Sequence, residues 1–415
     1  MRVLVADNFP EEGLAKLRNA GLDVRSEPAA KGEALTAAVR DSAADVLVVR
    51  GTEVKGDALR AGRLGLVVRA GAGFNTIDVK TASELGIYVS NCPGKNAVAV
   101  AELAMGLILA LDRQIPDAVA DLRSGVWNKA RYSKARGLFG RTLGIVGMGS
   151  IGTELARRAR AFGMDVVAWS RSLTPEAAQA KGVAGLRSPR EVAERADVVS
   201  VHLALNPETR GLLGADFFAA LRPGTLFVNT ARAEVLDEAA LLDAVRARGL
   251  RAAVDVFAGE PAGGTGTVES PLFKEKGVYG THHVGASTDQ AQEAIAEETV
   301  RIIMEYASSG RVPNCVNIAR RTPATHLLIV RHLDRVGVLA HVFGRLKDAG
   351  INVQQTENVV FEGALAAIAR IQVDQEPGAA TLAAIREGSD ILDLAVVPMG
   401  ERDEPRRHGD TENKK

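Results

Sequence analysis

Hydrophobic positions along the chain follow two local patterns that alternate. Short runs of β-branched residues are separated by Ala- and Leu-rich stretches in which apolar residues recur at helical spacing. This alternation is typical of an α/β protein with parallel sheets. A first series of strands is predicted at residues 3–6, 46–49, 66–69 and 87–89. A second series is predicted at residues 143–146, 166–169, 198–202, 226–229 and 252–256.

Three further segments complete this organisation. A continuously apolar helix is predicted between the two series, over residues 97–111, and its composition predicts burial on several sides. Beyond residue 310 the pattern changes to strand, helix, strand, strand, helix, strand, an order typical of a ferredoxin-like domain. Residues 400–415 carry ten charges, five of each sign, and are predicted to be a disordered tail.

Composition narrows the possible classes of protein. The 415 residues suggest two or three domains, and the 51 basic and 51 acidic side chains give no net positive charge for nucleic-acid binding. No apolar run reaches the length of a membrane span or a signal-peptide core. Cys92 and Cys315 stand far apart, so neither a disulfide scaffold nor a metal site is expected. We expect a reduced, cytoplasmic protein.

A glycine-rich turn predicts a dinucleotide site. Gly147, Gly149 and Gly152 stand between a predicted strand and a predicted helix, which is the context that gives such a motif meaning. The first glycine permits the tight turn, the second lets the backbone approach a pyrophosphate, and the third allows close helix–sheet packing. N–H groups at the helix start, near Ser150 and Ile151, are then free to bind phosphates.

The end of the next strand bears on the choice of cofactor. An NAD enzyme usually carries an acidic residue there to hold the ribose hydroxyls. This chain instead has Ser170 and Arg171. A serine can hydrogen-bond a hydroxyl, whereas an arginine favours a 2′-phosphate, so the segment predicts NADP or weak discrimination. Alternatively, Arg171 stacks on the adenine or points into solvent.

Three polar residues follow the ends of later predicted strands, where open α/β sheets build their sites. They are Arg232, Glu260 and His283. Each alone has a structural explanation, as part of a helix cap, a surface acid or a core histidine. Together, their segments resemble in order and spacing those of the D-2-hydroxyacid dehydrogenase family. The resemblance covers nearly all of residues 1–310.

The resemblance implies a fold and a division into domains. Two doubly wound parallel-sheet lobes, Rossmann- or flavodoxin-like, are expected to enclose a cleft. Residues 1–96 and 288–315 would form the substrate lobe, and residues 97–287 the dinucleotide-binding lobe. Residues 324–399 resemble an ACT domain with the βαββαβ order.

The resemblance also implies roles for the three residues. A neutral imidazole at His283 can accept the hydroxyl proton of the substrate while a hydride passes to a nicotinamide. Glu260 would orient that ring and stabilise its protonated form. Arg232 would hold the substrate carboxylate. Asp255 resembles the acid that lies near the nicotinamide carboxamide. NAD is the implied cofactor, with further contacts assigned to His202, Thr230, Ala231, Gly285 and Ala286.

Two positions depart from the family pattern. Ala233 stands where the family usually has glycine, and His282 where it usually has proline. Catalysis is assigned to His283 because the Val-Gly-Ala-Ser-Thr that follows it sets the register.

The substrate is suggested by a second group of residues. Within the family the chain most resembles the branch that oxidises 3-phospho-D-glycerate. Arg50 stands where that branch has a phosphate-binding arginine, although a surface ion pair would also explain it. The loop at residues 70–78 resembles a substrate loop, in which Ala72 and Gly73 would grip the carboxylate and Asn75 lies alongside.

A basic segment adds to this picture. Residues 122–153 contain six basic residues, Lys129 and Arg131 among them, and no acid. They resemble a stretch that reaches the site of a neighbouring subunit, so a homodimer or homotetramer is expected. A cationic rim suits a substrate with carboxylate and phosphate groups. A solvated basic loop is the alternative.

ACT domains bind amino acids at a dimer interface in several biosynthetic enzymes. The resemblance therefore predicts contacts of His332, Asp334 and Asn352 with an effector such as L-serine. Serine-sensing versions usually have asparagine where Asp334 stands and proline where Val336 stands. An assembly module without an effector is the alternative.

These observations favour an NAD(P)-dependent dehydrogenase that acts on 3-phosphoglycerate. A glyoxylate or hydroxypyruvate reductase is the nearest alternative, because Ser170 and Arg171 would suit NADP. A dinucleotide-sensing co-repressor shares the same scaffold, but the ACT-like module and the basic rim argue against it.

Overall fold

A computed structural model describes residues 1–261, 265–319 and 321–400 of the chain. The chain forms two compact units, Met1–Asn317 and a C-terminal unit that begins at Ile318. Of the predicted tail, residues 401–415 lie outside the described part. None of the described helices combines the length and the apolar character needed to cross a bilayer.

The N-terminal sheet has five strands: β1 (Arg2–Val5), β2 (Asp23–Ser26), β3 (Val46–Val49), β4 (Leu66–Arg69) and β5 (Tyr88–Asn91). They are parallel and lie in the order β2-β1-β3-β4-β5. The connecting helices are α1 (Glu11–Asn19), α2 (Glu33–Ser42), α3 (Gly56–Arg60) and α4 (Val79–Glu84). The hydrophobic pattern misses β2 because this edge strand is mostly exposed and polar.

The second sheet follows three helices, α5 (Ala97–Arg113), α6 (Ile115–Arg123) and α7 (Lys129–Tyr132). Its strands are β6 (Thr142–Val146), β7 (Asp165–Trp169), β8 (Ala184–Gly185), β9 (Val198–Val201), β10 (Leu226–Asn229), β11 (Arg251–Val254) and β12 (Val278–Gly280). Between them lie α8 (Ser150–Ala161), α9 (Pro175–Ala180), α10 (Pro189–Arg195), α11 (Ala215–Ala220) and α12 (Glu238–Arg248). All seven strands are parallel, in the order β12-β11-β10-β9-β6-β7-β8.

Helix α13 (Asp289–Ser309) returns the chain to the N-terminal sheet. Its Ile295 and Ile302 pack in one buried cluster with Val3 and Val5 of β1. Leu4, between those two valines, joins a separate cluster on the opposite face. Both faces of the sheet are therefore covered, as a doubly wound parallel sheet requires.

The long apolar helix α5 packs on the second sheet. Ten of its 17 residues are buried, and Ile108 and Leu111 share a cluster with Leu143 and Ile145 of β6. A second cluster, around Phe218 and Phe227, covers the other face. The predicted α/β fold with two parallel-sheet lobes is confirmed.

The C-terminal unit contains β13 (His326–Leu333), α14 (Val338–Asp348), β14 (Val353–Val360), β15 (Ala366–Val373), α15 (Ala379–Arg386) and β16 (Ile391–Pro398). Its strands are antiparallel in the order β14-β15-β13-β16. The predicted ferredoxin-like βαββαβ arrangement is therefore confirmed.

A buried carboxylate ties α13 to its surroundings. Glu298 accepts hydrogen bonds from Arg301 Nη2 at 2.6 Å and from Asn314 Nδ2 at 2.7 Å, and Lys95 Nζ lies 3.3 Å away. The hydrogen bond from Arg301 is the main cause that lowers the pKa of Glu298 to about 2, against the opposing effect of burial. Lys95 precedes α5 and Asn314 follows α13, so one carboxylate joins three segments.

Replacement of this carboxylate is expected to destabilise the N-terminal unit. Glu298→Gln removes the charge that Arg301 and Lys95 neutralise, and should lower the free energy of unfolding by about 2 kcal/mol at pH 7. The folded-state pKa lies below the ordinary 4.5, so the stabilisation is complete above that pH and is lost as the pH falls towards 2. Urea unfolding at pH 7 and pH 3 measures both effects.

The neighbouring exposed Glu297 provides the control. Glu297→Gln should change the unfolding free energy by no more than about 0.5 kcal/mol, since its only described partner is a surface lysine 3.8 Å away. Equal losses in the two variants would contradict the assignment.

Candidate active site

Arg232, Glu260 and His283 border one cleft of about 600 Å³. Arg232 follows β10, Glu260 follows β11 and His283 follows β12. These three strands are adjacent and parallel, so their carboxyl ends meet at one edge of the sheet. The topology thereby brings together three side chains that are far apart in sequence.

His283 and Glu260 form a direct pair. His283 Nδ1 lies 2.8 Å from Glu260 Oε2, and Glu260 Oε1 accepts the N–H of Phe257 at 2.9 Å. Burial raises the pKa of Glu260, but the hydrogen bonds from His283 and Phe257 outweigh it and hold that pKa below its ordinary value. An ionised Glu260 makes Nδ1 the proton-bearing nitrogen of a neutral ring, which leaves Nε2 free to accept a proton.

Asp255 shapes the loop that carries His283. Its carbonyl oxygen accepts the His283 N–H at 2.9 Å. Its buried carboxylate accepts the hydroxyl of Thr281 at 2.6 Å and the N–H groups of Val284 and Gly285, each at 2.9 Å. His283 has a φ of 54°, in the left-handed region that non-glycine residues rarely adopt. The bonds to Asp255 hold it there.

The two departures from the family pattern leave this geometry in place. Ala233 begins a short 3₁₀ turn, Ala233–Val235, whose backbone does not require glycine. His282 is exposed and does not border the cleft, whereas His283 does.

Arg232 reaches from the second sheet to a loop of the first. Its guanidinium lies so close to Gly73 that a Cβ there would overlap Nη2. The turn before it is held by the buried Asn229, whose side chain donates to the Arg232 carbonyl and accepts the Ala231 N–H, both at 3.0 Å. Both sheets of this unit therefore contribute to the site.

A second arginine, Arg69, belongs to this group and was not assigned from the sequence. It ends β4, directly before the loop that contains Ala72 and Gly73. Burial, together with the positive charges of Arg232 and Arg50, lowers the pKa of Arg69 to about 10, so it remains protonated at neutral pH. Its buried Nε has no hydrogen-bond partner among the described residues. Its position at a strand end, like that of Arg50, was the available signal.

The loops that carry these groups are hydrogen-bonded to the N-terminal sheet. Asp7 Oδ2 accepts the N–H groups of Arg50, Gly51 and Thr52 at 2.6, 3.0 and 3.0 Å. The buried Asn91 donates to the Ala72 carbonyl at 2.5 Å. Asn75 is exposed on the same loop as Ala72.

The glycine turn has room for a phosphate. Gly147 has a φ of 106°, and a Cβ there would lie 2.5 Å from the carbonyl oxygen of His202. A Cβ on Gly152 would overlap the carbonyl of Gly147, whereas one on Gly149 would meet open space. Helix α8 begins at Ser150, and no side chain caps its first turn. The backbone near Gly149 and the N–H groups of Ser150 and Ile151 therefore suit a pyrophosphate.

The other predicted cofactor contacts also lie at the carboxyl ends of this sheet. His202 Nε2 lies 2.9 Å from Ser200 Oγ, and Nδ1 lies 3.4 Å from Thr230 Oγ1. Burial lowers the pKa of His202 to about 3, so its ring is neutral. Ala231 is buried beside Arg232, and the Ala286 carbonyl accepts a hydrogen bond from Gln292.

Several predicted residues lie away from the cleft. Lys129 and Arg131 are exposed in α7, where Arg131 pairs with Asp117 at 3.4 Å and Asp121 at 3.1 Å. Within one chain they are not brought to the other site residues.

The C-terminal unit has a groove of about 520 Å³ that is bordered by Asn352. Neither His332 nor Asp334 is among the described residues that line this groove. Asp334 is exposed. His332 is buried, and its two ring nitrogens lie 2.7 Å from the Leu333 carbonyl oxygen and 3.1 Å from Asn358 Oδ1. Its imidazole is therefore already engaged inside the unit.

Comparisons with known proteins identify the family of the chain. A profile described as "D-isomer specific 2-hydroxyacid dehydrogenase, NAD binding domain" matches residues 105–285. The D-3-phosphoglycerate dehydrogenase of Methanocaldococcus jannaschii is 38% identical over 324 residues, covering 77% of this chain and 60% of that protein. The TT0316 protein of Thermus thermophilus is 32% identical, with a TM-score of 0.68, covering 76% of this chain and 100% of that one. The chain belongs to the D-isomer specific 2-hydroxyacid dehydrogenase family.

The family assignment made from the three segments is thus confirmed, and the second sheet is the NAD-binding domain of this family. The chain spans 54% to 66% of the lengths of the curated relatives that it matches. Another solved relative is the NADPH-dependent glyoxylate/hydroxypyruvate reductase of Sinorhizobium meliloti, in complex with NADP and malonate. It is 28% identical, with a TM-score of 0.66, and covers 77% of this chain and 99% of that one.

The hold of Asp255 on the His283 loop can be tested directly. Asp255→Asn replaces one acceptor oxygen by a donor, so either the Gly285 N–H or the groups bonded to the other oxygen lose their partner. We expect amide exchange at Val284 and Gly285 to accelerate about 10-fold or more, because a buried hydrogen bond is lost. Hydrogen–deuterium exchange with peptide resolution measures this.

Asp243→Asn, at an exposed position of α12, is the control and should leave exchange in the loop unchanged. Unaltered protection of the loop in the Asp255 variant would show that other contacts hold it.

Proposed function

We propose that this protein is an NAD(P)-dependent dehydrogenase that oxidises 3-phospho-D-glycerate to 3-phosphohydroxypyruvate, the first step of L-serine biosynthesis, in the cytoplasm. The observation that carries the proposal is the meeting of a His–Glu pair with three arginines in one unit. Relatives named D-3-phosphoglycerate dehydrogenase, 34% to 39% identical, support the choice of substrate.

Residues of the chain accept the hydroxyl proton of the substrate and bind its carboxylate. When bound at the glycine turn, a nicotinamide dinucleotide supplies the acceptor for the hydride. His283 accepts the hydroxyl proton of the substrate at Nε2, and Glu260 stabilises the resulting imidazolium. Arg232 binds the substrate carboxylate with its planar fork, assisted by N–H groups near Ala72 and Gly73.

The phosphate of the substrate is assigned to Arg50 and Arg69. Like charges in a partly buried site are costly unless an anion joins them. The buried Nε of Arg69 also lacks a hydrogen-bond acceptor in the part of the chain that the structure describes, and an anion would supply one. A substrate with a carboxylate and a phosphate would neutralise the group. A substrate with a carboxylate alone would satisfy only part of it.

A glyoxylate or hydroxypyruvate reductase is the second candidate. It is favoured by Ser170 and Arg171 at the end of β7 and by the structural likeness to the NADPH-dependent reductase. Such a substrate has no phosphate and leaves Arg50 and Arg69 unexplained, so we place it second.

Assembly into a homodimer or homotetramer is part of the proposal. Leu122, Trp127 and Phe139 are 60%, 79% and 88% exposed, and such apolar surface is typical of a contact with another chain. A partner chain could bring Lys129 to the site. Binding of L-serine or another amino acid to the C-terminal unit remains a prediction, for which Asn352 is better placed than His332.

If Arg50 and Arg69 bind the phosphate, their replacement should affect the KM for 3-phosphoglycerate more than the KM for glyoxylate. Arg69→Gln and Arg50→Gln should each raise the KM for 3-phosphoglycerate about 10-fold or more, because each removes a charge-assisted hydrogen bond. The KM for glyoxylate should change less than about 3-fold. Steady-state kinetics with both substrates measure this.

The exposed Arg63, which pairs with Asp45, supplies the control Arg63→Gln. If Arg69→Gln and Arg50→Gln impaired both substrates equally, the phosphate assignment would be wrong.

If His283 accepts the substrate proton, its replacement should lower the catalytic rate without weakening cofactor binding. His283→Gln should lower kcat about 10³-fold or more while the affinity for NADH, measured by fluorescence, stays within about 2-fold. His282→Gln is the matched control and should keep most of the turnover. Loss of turnover in the His282 variant alone would overturn the assignment.

A further inference from the structure

Arg171 and Glu208 come from two loops at the carboxyl edge of the second sheet. Arg171 follows β7 (Asp165–Trp169), and Glu208 lies after β9 (Val198–Val201). Strand β6, which leads into the glycine turn, lies between β7 and β9 in the sheet. Arg171 Nη1 is 3.1 Å from Glu208 Oε2. The ion pair therefore joins the two loops on either side of the turn that suits a dinucleotide.

Glu208 is presented by an ordered turn. Asn206 Oδ1 accepts the N–H groups of Glu208 at 3.0 Å and Thr209 at 2.9 Å. The Thr209 hydroxyl donates to the Ala204 carbonyl at 2.6 Å. These hydrogen bonds hold the turn from which Glu208 reaches Arg171.

The pair places opposite charges where the two dinucleotides differ. In a Rossmann-type sheet the ribose of the adenosine half lies at the end of the strand after the glycine turn, here β7. Arg171 alone would attract a 2′-phosphate there. Residues 170–174 contain no acid, so Glu208 supplies from another loop the carboxylate that this strand end lacks.

We propose that Glu208 is a specificity-determining residue for the dinucleotide. It neutralises Arg171 and repels a 2′-phosphate, so NAD can compete at a strand end that otherwise selects NADP. With NADP, Arg171 must leave Glu208 to reach the phosphate. With NAD, the ion pair stays intact. The inference rests on the proposed function, because it requires a dinucleotide at the Gly147 turn.

Calorimetric titration of the full chain with NAD⁺ and NADP⁺ tests this without a turnover assay. Glu208→Gln keeps the size of the side chain and removes its charge. It should tighten NADP⁺ binding about 3- to 10-fold, in keeping with an exposed ion pair, and change NAD⁺ binding less than about 2-fold. The gain should shrink in about 0.5 M salt because both groups are exposed to solvent.

Two further variants make the outcome specific. Glu194→Gln breaks another exposed ion pair of the same lobe, Arg190–Glu194 at 3.0 Å, and should leave the ratio of NADP⁺ to NAD⁺ affinity unchanged. In an Arg171→Gln background, Glu208→Gln should give a smaller gain, since part of its effect acts through Arg171.

The inference is overturned if Glu208→Gln and Glu194→Gln leave the same affinity ratio. That result would leave the proposed function standing, since both dinucleotides would still bind. Failure of the unsubstituted protein to bind either dinucleotide would instead overturn the proposed function, and this inference with it.

Discussion

The buried carboxylate of Asp255 is the contact on which the candidate site depends most. It stands directly after β11 and receives three hydrogen bonds from the loop after β12, while its carbonyl oxygen receives a fourth. A left-handed backbone at His283 persists only because these bonds outweigh its cost. The imidazole then meets Glu260, which stands five residues beyond Asp255, so both partners of the pair are placed by one segment.

Positive charge is concentrated at this site although the net charge of the whole chain is zero. Arg50, Arg69 and Arg232 come from the ends of β3, β4 and β10, on two different sheets. Within one sheet, parallel strands direct their carboxyl ends to the same side, which explains the shared edge of Arg50 and Arg69. Arg232 comes from the other sheet and lies beside Gly73 in the loop after β4. Burial, together with the positive charges of Arg232 and Arg50, lowers the pKa of Arg69. The proposed anionic substrate would relieve this repulsion.

The NAD-binding domain combines a glycine turn of the common type with an ion pair at the end of β7. The glycine turn is shaped by close contacts: a side chain at Gly147 or Gly152 would collide with backbone, while the space at Gly149 is open. The end of β7 is different, because its positive Arg171 is balanced by Glu208 from another loop. In the proposals made above, phosphate binding and the choice between dinucleotides therefore rest on separate groups.

Local information was sufficient for most elements and for the residues at strand ends. Buried strands such as β3 and β4 are uniformly apolar over most of their length, so their pattern reveals them. The exposed edge strand β2 and the two-residue strand β8 carry no such pattern, and only pairing with their neighbours defines them. Arg232 and Glu260 could be found because motif and predicted strand end coincide, whereas His283, after the unpredicted strand β12, was found from its motif alone.

Chain order alone could not show what those side chains touch. Arg69 was assigned to the site only because the structure shows it buried near the charges of Arg232 and Arg50. Arg131 instead forms ion pairs with two acidic residues of α6. His332 is enclosed by its own unit. Hydrophobic periodicity records which side of an element is buried, and so it predicts the lobes. The distances between polar groups on separate strands depend on the order of the strands in the sheets. Only the tertiary structure decides this order.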